Sequence, residues 1–250
     1  RRSESILRAF LDRSDLFLLA QNPLLLTVIM LVARERLGIP TEKASLLEYS
    51  IDLLLEEWDS YKVGIEEQKM RFSLQEKKYI LALLALEALD LSADRLDEKF
   101  ITKVVAKALE SRSRTEAMEA SDILVKLVSD RSGIIVEVIP RIYSFANRIF
   151  QEYLAAVALT EAENTVEEIL KRHEKKEWEE IIILAIGRLN QFSSHAPRNV
   201  IDALVKTKNY TEALAAYEQA ISLDMKNSNA WNGKYKAVEE NRKCHSPCIF

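Results

Sequence analysis

A mainly α-helical protein with one β-hairpin is what this sequence predicts, on three observations. Its 250 residues include only five glycines and five prolines, while Leu, Ala, Glu and Lys abound, the composition of a chain that seldom breaks its helices. Apolar residues recur at spacings of three and four along most of the length, so one helical face after another must be buried. A single β-branched run, Ile134-Ile135-Val136-Glu137-Val138, interrupts this texture between Gly133 and Pro140.

In chain order, Ile6, Leu7, Phe10 and Leu11, then an apolar group from Leu16, predict two short helices. Asn22 before Pro23 predicts a helix start, because the Asn side chain accepts from free N–H groups and the fixed φ of proline suits a first turn. That helix should reach Arg36, ahead of Leu37-Gly38-Ile39-Pro40. Thr41 is placed to cap the next helix, whose buried stripe reads Leu46, Leu47, Ser50, Leu53, Leu54 and Trp58 and which frays near Gly64. Ser73 and Glu76 have capping-box spacing for a helix to Asp90. Asp97 opens another through Ile101, Val104, Val105 and Leu109, residues 111–115 read as a loop, and a third helix is expected over 116–129.

The β-branched run, Pro140-Arg141 and Ile142-Tyr143-Ser144-Phe145 predict the hairpin. Across residues 144–159, SFANRIFQEYLAAVAL, the residues Phe145, Ile149, Phe150, Tyr153, Leu154, Val157 and Ala158 form one apolar helical face. Asn147, Arg148, Gln151 and Glu152 gather near its start, where unpaired N–H groups favour an anion; a capped core helix with a solvated polar edge accounts for the same pattern. Helices, one hairpin and a further helix is the order of a winged-helix unit. Beyond it, Thr165 and Glu168 have capping-box spacing, Trp178 and Ile181 to Ile186 mark a buried helix, and residues 191–197 read as a linker. Tyr210, Ala213, Leu214, Tyr217, Ala220 and Ile221 then line one face of a helix, with Trp231 and Gly233 opening what reads as a second copy.

With 48% hydrophobic residues the chain can bury a substantial core, and a net charge of -4 gives no general attraction to nucleic acid. Cys244 and Cys248 both lie at the C-terminal end, so no disulfide framework holds the body and a reducing, cytoplasmic setting is expected. The first residue is Arg1 rather than Met, and the chain reads as part of something longer. Residues 16–33 are apolar but interrupted by Gln21, Asn22 and Pro23, too short a run to span a bilayer. No G-x-x-x-x-G-K-[ST] loop occurs, His173, His195 and His245 accompany no nucleophile motif and read as solvated, and Cys244-His245-Ser246-Pro247-Cys248 offers too few ligands for structural zinc. No catalytic residue and no metal ligand is therefore assigned.

At FANRIFQEYLAA the sequence resembles the C-terminal part of the NACHT module, a branch of the STAND family of signalling NTPases, whose pattern runs Phe-x-His-x-x-Phe-Gln-Glu-Tyr/Phe-Leu-Ala-Ala. NPLLLTVIMLVARERLGIP, SLLEYSIDLLLEEWD, SGIIVEV and EWEEIIILAIG resemble further NACHT segments in the same order, and NYTEALAAYEQAISLD resembles a helix of a tetratricopeptide repeat. The resemblance implies a helical domain over 1–71, a winged-helix-like domain over 72–162, a helical extension over 163–195, and a tetratricopeptide-like repeat and tail over 196–250. It implies a P-loop ATPase core upstream, binding ATP or ADP with Mg²⁺, as the partner in cis. It also implies a protein or peptide ligand at the repeats and oligomerisation of the longer protein.

By position, Pro23 would face the adenine base. Asn147 stands where the family has a histidine near the phosphates, a neutral amide in place of a group that can become cationic. Arg148 could supply charge beside it. The expected function is a regulatory segment of a NACHT-type NTPase, not itself an enzyme. A free-standing repeat-containing adaptor is the alternative, and DNA binding is disfavoured by Glu116, Glu119 and Asp122 in the expected recognition helix.

Overall fold

Most of the apolar stripes read from the sequence do become helices, and the computed structural model describes residues 8, 10–36, 38–60, 72–109, 133–193 and 195–207. The described residues are mainly helical with one small antiparallel sheet, and the chain divides into two compact units, Arg1–Ala158 and Leu159–Phe250.

In the first unit, α1 (Ser14–Ala20), α2 (Pro23–Glu35) and α3 (Lys43–Ser60) follow a helical stretch that includes residues 10–12. Asn22 caps α2 as predicted, its side-chain oxygen accepting from the N–H groups of Leu24 at 2.9 Å and Leu25 at 3.2 Å. Leu16 of α1, Val28, Ile29 and Val32 of α2, and Leu46 and Leu53 of α3 share one core. Arg13 steadies the α2–α3 connection by donating from Nη1 to the Pro40 carbonyl at 2.6 Å. Thr41 is not the α3 cap: the helix starts two residues later, with the Glu42 carbonyl accepting from Leu46 N–H at 3.0 Å and the Glu42 carboxylate accepting from the Ser45 hydroxyl at 3.3 Å. Of the predicted stripe on α3, Leu46, Leu47, Ser50 and Leu53 are buried and Leu54 half-buried; the Trp58 side chain and Gly64 lie outside the described residues.

Next comes α4 (Leu74–Asp90), opened by the predicted capping box: Ser73 Oγ accepts from Glu76 N–H at 3.2 Å, and Glu76 Oε2 accepts from Ser73 N–H at 2.8 Å. A strand that the sequence reading lacks follows, β1 (Leu96–Asp97). Asp97 ends it and caps α5 (Glu98–Ala108), accepting from Phe100 N–H at 2.7 Å. The hairpin strands are β2 (Ile135–Ile139) and β3 (Ile142–Phe145), and the sheet order is β1-β3-β2, with Leu96 opposite Tyr143 and Ile135 opposite Phe145. Arg141 turns the hairpin at φ 67°, a left-handed conformation that its N–H bond to Glu137 Oε1, 2.7 Å, helps to hold. The helix expected over 116–129 lies outside the described residues.

The final helix of this unit runs as α6 (Arg148–Glu161), and Ser144 and Phe145, which the sequence assigns both to the hairpin and to this apolar stretch, lie in β3. They pair with Val136 and Ile135, and Ala146 N–H donates to the Ile134 carbonyl at 2.9 Å. The ladder of β2 captures backbone groups that a helix would otherwise use.

The second unit holds α7 (Thr165–Leu170), a 3-10 turn at Lys176–Trp178, α8 (Glu179–Phe192) and α9 (Ala196–Lys206). Thr165 and Glu168 make no capping box. Thr165 is the first helical residue, and its hydroxyl donates back to the carbonyls of Ala162 at 3.1 Å and Thr160 at 3.4 Å. The Glu168 carboxylate turns to Lys171 and Arg172. Nor do residues 191–197 form a linker: α8 continues through Phe192 and Pro197 is already buried in the first turn of α9. Ser193 Oγ closes the short gap by accepting from the N–H groups of His195 at 3.2 Å and Ala196 at 3.3 Å. Helix α9 packs on α7 and α8. The repeat-like segment from Tyr210, with Trp231, Gly233, Cys244, His245 and Cys248, lies outside the described residues.

Candidate functional site

The start of α6 is where the sequence places an anion-facing group, and the structure shows how its residues are used. Asn147 Oδ1 accepts from Ile149 N–H at 3.0 Å, and its carbonyl accepts from Phe150 N–H at 3.2 Å and Gln151 N–H at 3.3 Å. The amide therefore caps its own helix, which leaves its NH₂ group as the part that could donate to a ligand. Arg148 is exposed and pairs with Glu152 one turn on, at 2.8 Å. Behind this polar edge, Phe150, Tyr153 and Leu154 are fully buried and Phe145 half-buried, so the apolar half of the pattern is core. Pro23 stands apart in sequence, exposed at the first position of α2. Asn147 and Arg148 thus share one helix end, while Pro23 belongs to another.

A second cluster was missed in the sequence. Lys78 of α4 is buried, with 3% of its surface exposed. Its ammonium meets two carboxylates of α3: it donates to Glu48 and lies 2.5 Å from Asp52 Oδ1. The Tyr153 hydroxyl of α6 donates to the other oxygen of Glu48. One clue was available in advance: Glu48 and Asp52 stand four apart, hence on one face, and are the charged residues of the mostly apolar run from Leu46 to Leu55. Their partners, 30 and 105 residues away from Glu48, carry no such clue.

Burial pushes the Asp52 carboxyl above its ordinary value and nearby Glu48 adds to this, while Lys78 and Arg36 pull it back only in part. Burial alone would lower the Lys78 ammonium, but its bonds to Asp52 and Glu48 outweigh that cost and hold it above the ordinary lysine value. Lys78 stays charged throughout the neutral range. A raised carboxyl favours the fold in its protonated form: that contribution is full below the unfolded value near 4 and is lost as pH rises through the raised folded value. Asp52→Asn should remove this loss. Its stability relative to the parent chain, measured by urea unfolding, should be more favourable at about pH 7 than at about pH 3.5; the reverse order would contradict the buried carboxylate.

In the second unit, a cavity of about 480 Å³ opens between α7, α8 and α9, lined by Glu163, Thr165, Glu167, Leu170, Leu189 and Asn199 among others. Beside it the basic turn after α7 is occupied with its own carboxylates and carbonyls. Lys171 and Arg172 hold Glu168 below the ordinary carboxylate range, and the Arg172 guanidinium lies 5.0 Å from the Trp178 ring centroid. His173 is half-buried rather than solvated, its Nδ1 against the Leu170 carbonyl at 2.6 Å, whereas His195 is exposed as expected. Among the described residues no cluster of His, Cys, Asp and Glu could hold a metal ion, and no helix is long and apolar enough to cross a membrane.

A helix, a short strand, a second helix and then a β-hairpin that pairs back on the short strand is a winged-helix topology, with α4, β1, α5, β2 and β3 in those places. Residues 43–159 match the family model described as the winged helix-turn-helix domain C-terminal to NACHT. The match takes in α3 as well as α4 to α6. No curated protein and no solved structure matches the chain.

Proposed function

We propose that this chain, carrying a winged-helix domain of the type that follows a NACHT domain, is the regulatory segment of a NACHT-type NTPase and restrains an upstream nucleotide-binding core. The observation that carries the reading is the match over residues 43–159, on a stretch whose sheet has the order β1-β3-β2. The chain supplies no P-loop, so the nucleotide, ATP or ADP with Mg²⁺, belongs to the core, and no catalytic step is assigned to these residues. Exposed apolar side chains on the N-terminal helices, Phe17 and Leu18 of α1 with Leu26 and Met30 of α2, offer that core a surface in cis. On this reading Pro23 would lie against the adenine base of the core's nucleotide, and the Asn147 amide and Arg148 would approach its phosphate end. An amide that already caps its helix is a weaker phosphate ligand than an imidazolium. Repeats beyond α9 would receive the protein or peptide signal, and a signal that prefers an open arrangement shifts the population toward it.

The test is ADP release from the longer protein in which this chain follows a NACHT core. Pro23→Ala should speed release of fluorescent ADP roughly tenfold, the effect of losing about 1.4 kcal/mol of contact. Because Pro23 is exposed, the same change should leave the thermal midpoint of the isolated chain nearly unchanged. Release as fast from the whole protein as from its core alone would overturn the restraining role.

A further inference from the structure

We propose that Glu48, Asp52, Lys78 and Tyr153 form a polar latch that holds α3, with α1 and α2 packed on it, to the winged-helix core, and that releasing it is a discrete opening short of unfolding. The proposal stands on the first unit alone and does not depend on the NACHT reading. Helix α3 has two unlike attachments. Through Leu46 and Leu53 it shares an apolar core with Leu16, Val28, Ile29 and Val32 of α1 and α2. Through Glu48 and Asp52 it reaches Lys78 of α4 and Tyr153 of α6.

These attachments differ in what opening them would cost. Parting the apolar core exposes hydrocarbon to water with nothing regained. Parting the polar group returns two carboxylates, an ammonium and a phenol to water, and their recovered hydration offsets much of the lost attraction. The group also carries two negative charges against one positive, so Asp52 is repelled by Glu48 while both are held by Lys78. Leu47, Ile51 and Leu55 are also buried on α3, so an opening that uncovers any of them exposes hydrocarbon as well, which makes the released form a minor state. The seam therefore lies on the latch side of α3, and α1 to α3 leave together.

Tyr153 connects the latch to the other functional feature of the unit. It follows the start of α6 by little more than one helical turn, so a displacement of the Asn147–Arg148 end moves the phenol that holds Glu48. The whole helix transmits the movement.

Native-state hydrogen exchange on the whole chain, in low guanidinium, tests this. In the parent chain α2 and α3 should exchange through one shared opening with a smaller denaturant dependence than α4. Tyr153→Phe, which removes one hydroxyl from a buried ring, should raise exchange in α2 and α3 about 10- to 100-fold, the worth of a hydrogen bond to a charged group. Exchange in α8 of the other unit should stay as it was, while α4, whose larger opening also breaks that bond, should rise by no more than the same factor. Equal protection and equal denaturant dependence across α2, α3 and α4 in the parent chain would overturn the latch, and that comparison needs no variant. Unchanged exchange in α2 and α3 in Tyr153→Phe would overturn it too, since their opening would then leave the Tyr153–Glu48 bond intact.

Discussion

Lys78→Met is expected to lower the stability of this chain by about 3–5 kcal/mol, the cost of breaking a buried ion pair by removing one partner. The substituted thioether fills much of the volume, but the carboxylates of Glu48 and Asp52, four residues apart on one face of α3, are left facing each other without their cation. Urea unfolding followed by helix circular dichroism measures the change. Lys107→Met is the internal control. Lys107 pairs with Glu87 at 2.9 Å, yet its side chain is 59% exposed, and such surface pairs contribute about 0–1 kcal/mol. Similar losses in the two variants would mean that water reaches Lys78 freely.

Phe150→Ala is expected to cost about 3–5 kcal/mol, as deletion of a large buried aromatic does. Phe150 has no exposed surface and sits between Ile149 and Gln151, which are half-buried, near the start of α6. Asn147→Ala, at the same helix end, should cost about 1 kcal/mol, because it removes only the cap on Ile149 N–H. The ratio of the two losses, read from the same urea titrations, separates the structural half of the FANRIFQEYLAA pattern from its polar half. Equal losses would place Asn147 in the core with Phe150, contrary to its partial exposure.

Local chemistry explains which elements were legible. The Asn22 cap and the Ser73–Glu76 box involve groups two or three residues apart, so their spacing alone identifies them. The hairpin was legible because β-branched residues at 134–138 meet Pro140-Arg141. Where capping spacing misled, at Thr165 and Glu168, a competing local partner won: the carbonyls of Thr160 and Ala162 for the hydroxyl, and Lys171 and Arg172 for the carboxylate. Strand β1 was illegible for another reason. Two residues carry no periodicity, and Leu96-Asp97 becomes a strand only because Tyr143 and Ile142 are there to pair with it.

The candidate site divides in the same way. Asn147 and Arg148 are adjacent in a recognisable pattern, and the structure adds only that the amide oxygen is spent on its helix cap and the guanidinium on Glu152. The Glu48–Asp52–Lys78–Tyr153 group draws on three helices, and nothing near Lys78 in the chain distinguishes it from its neighbour Lys77.

By itself the sequence determined the helical class, the order of helices around one hairpin and the NACHT resemblance, since these depend on residue spacing, which is written along the chain. Only the tertiary structure decided the third strand and the buried charges at Lys78. Each of those depends on what a residue meets after the chain has closed over tens of positions, and backbone pairing and desolvation take effect only at that contact.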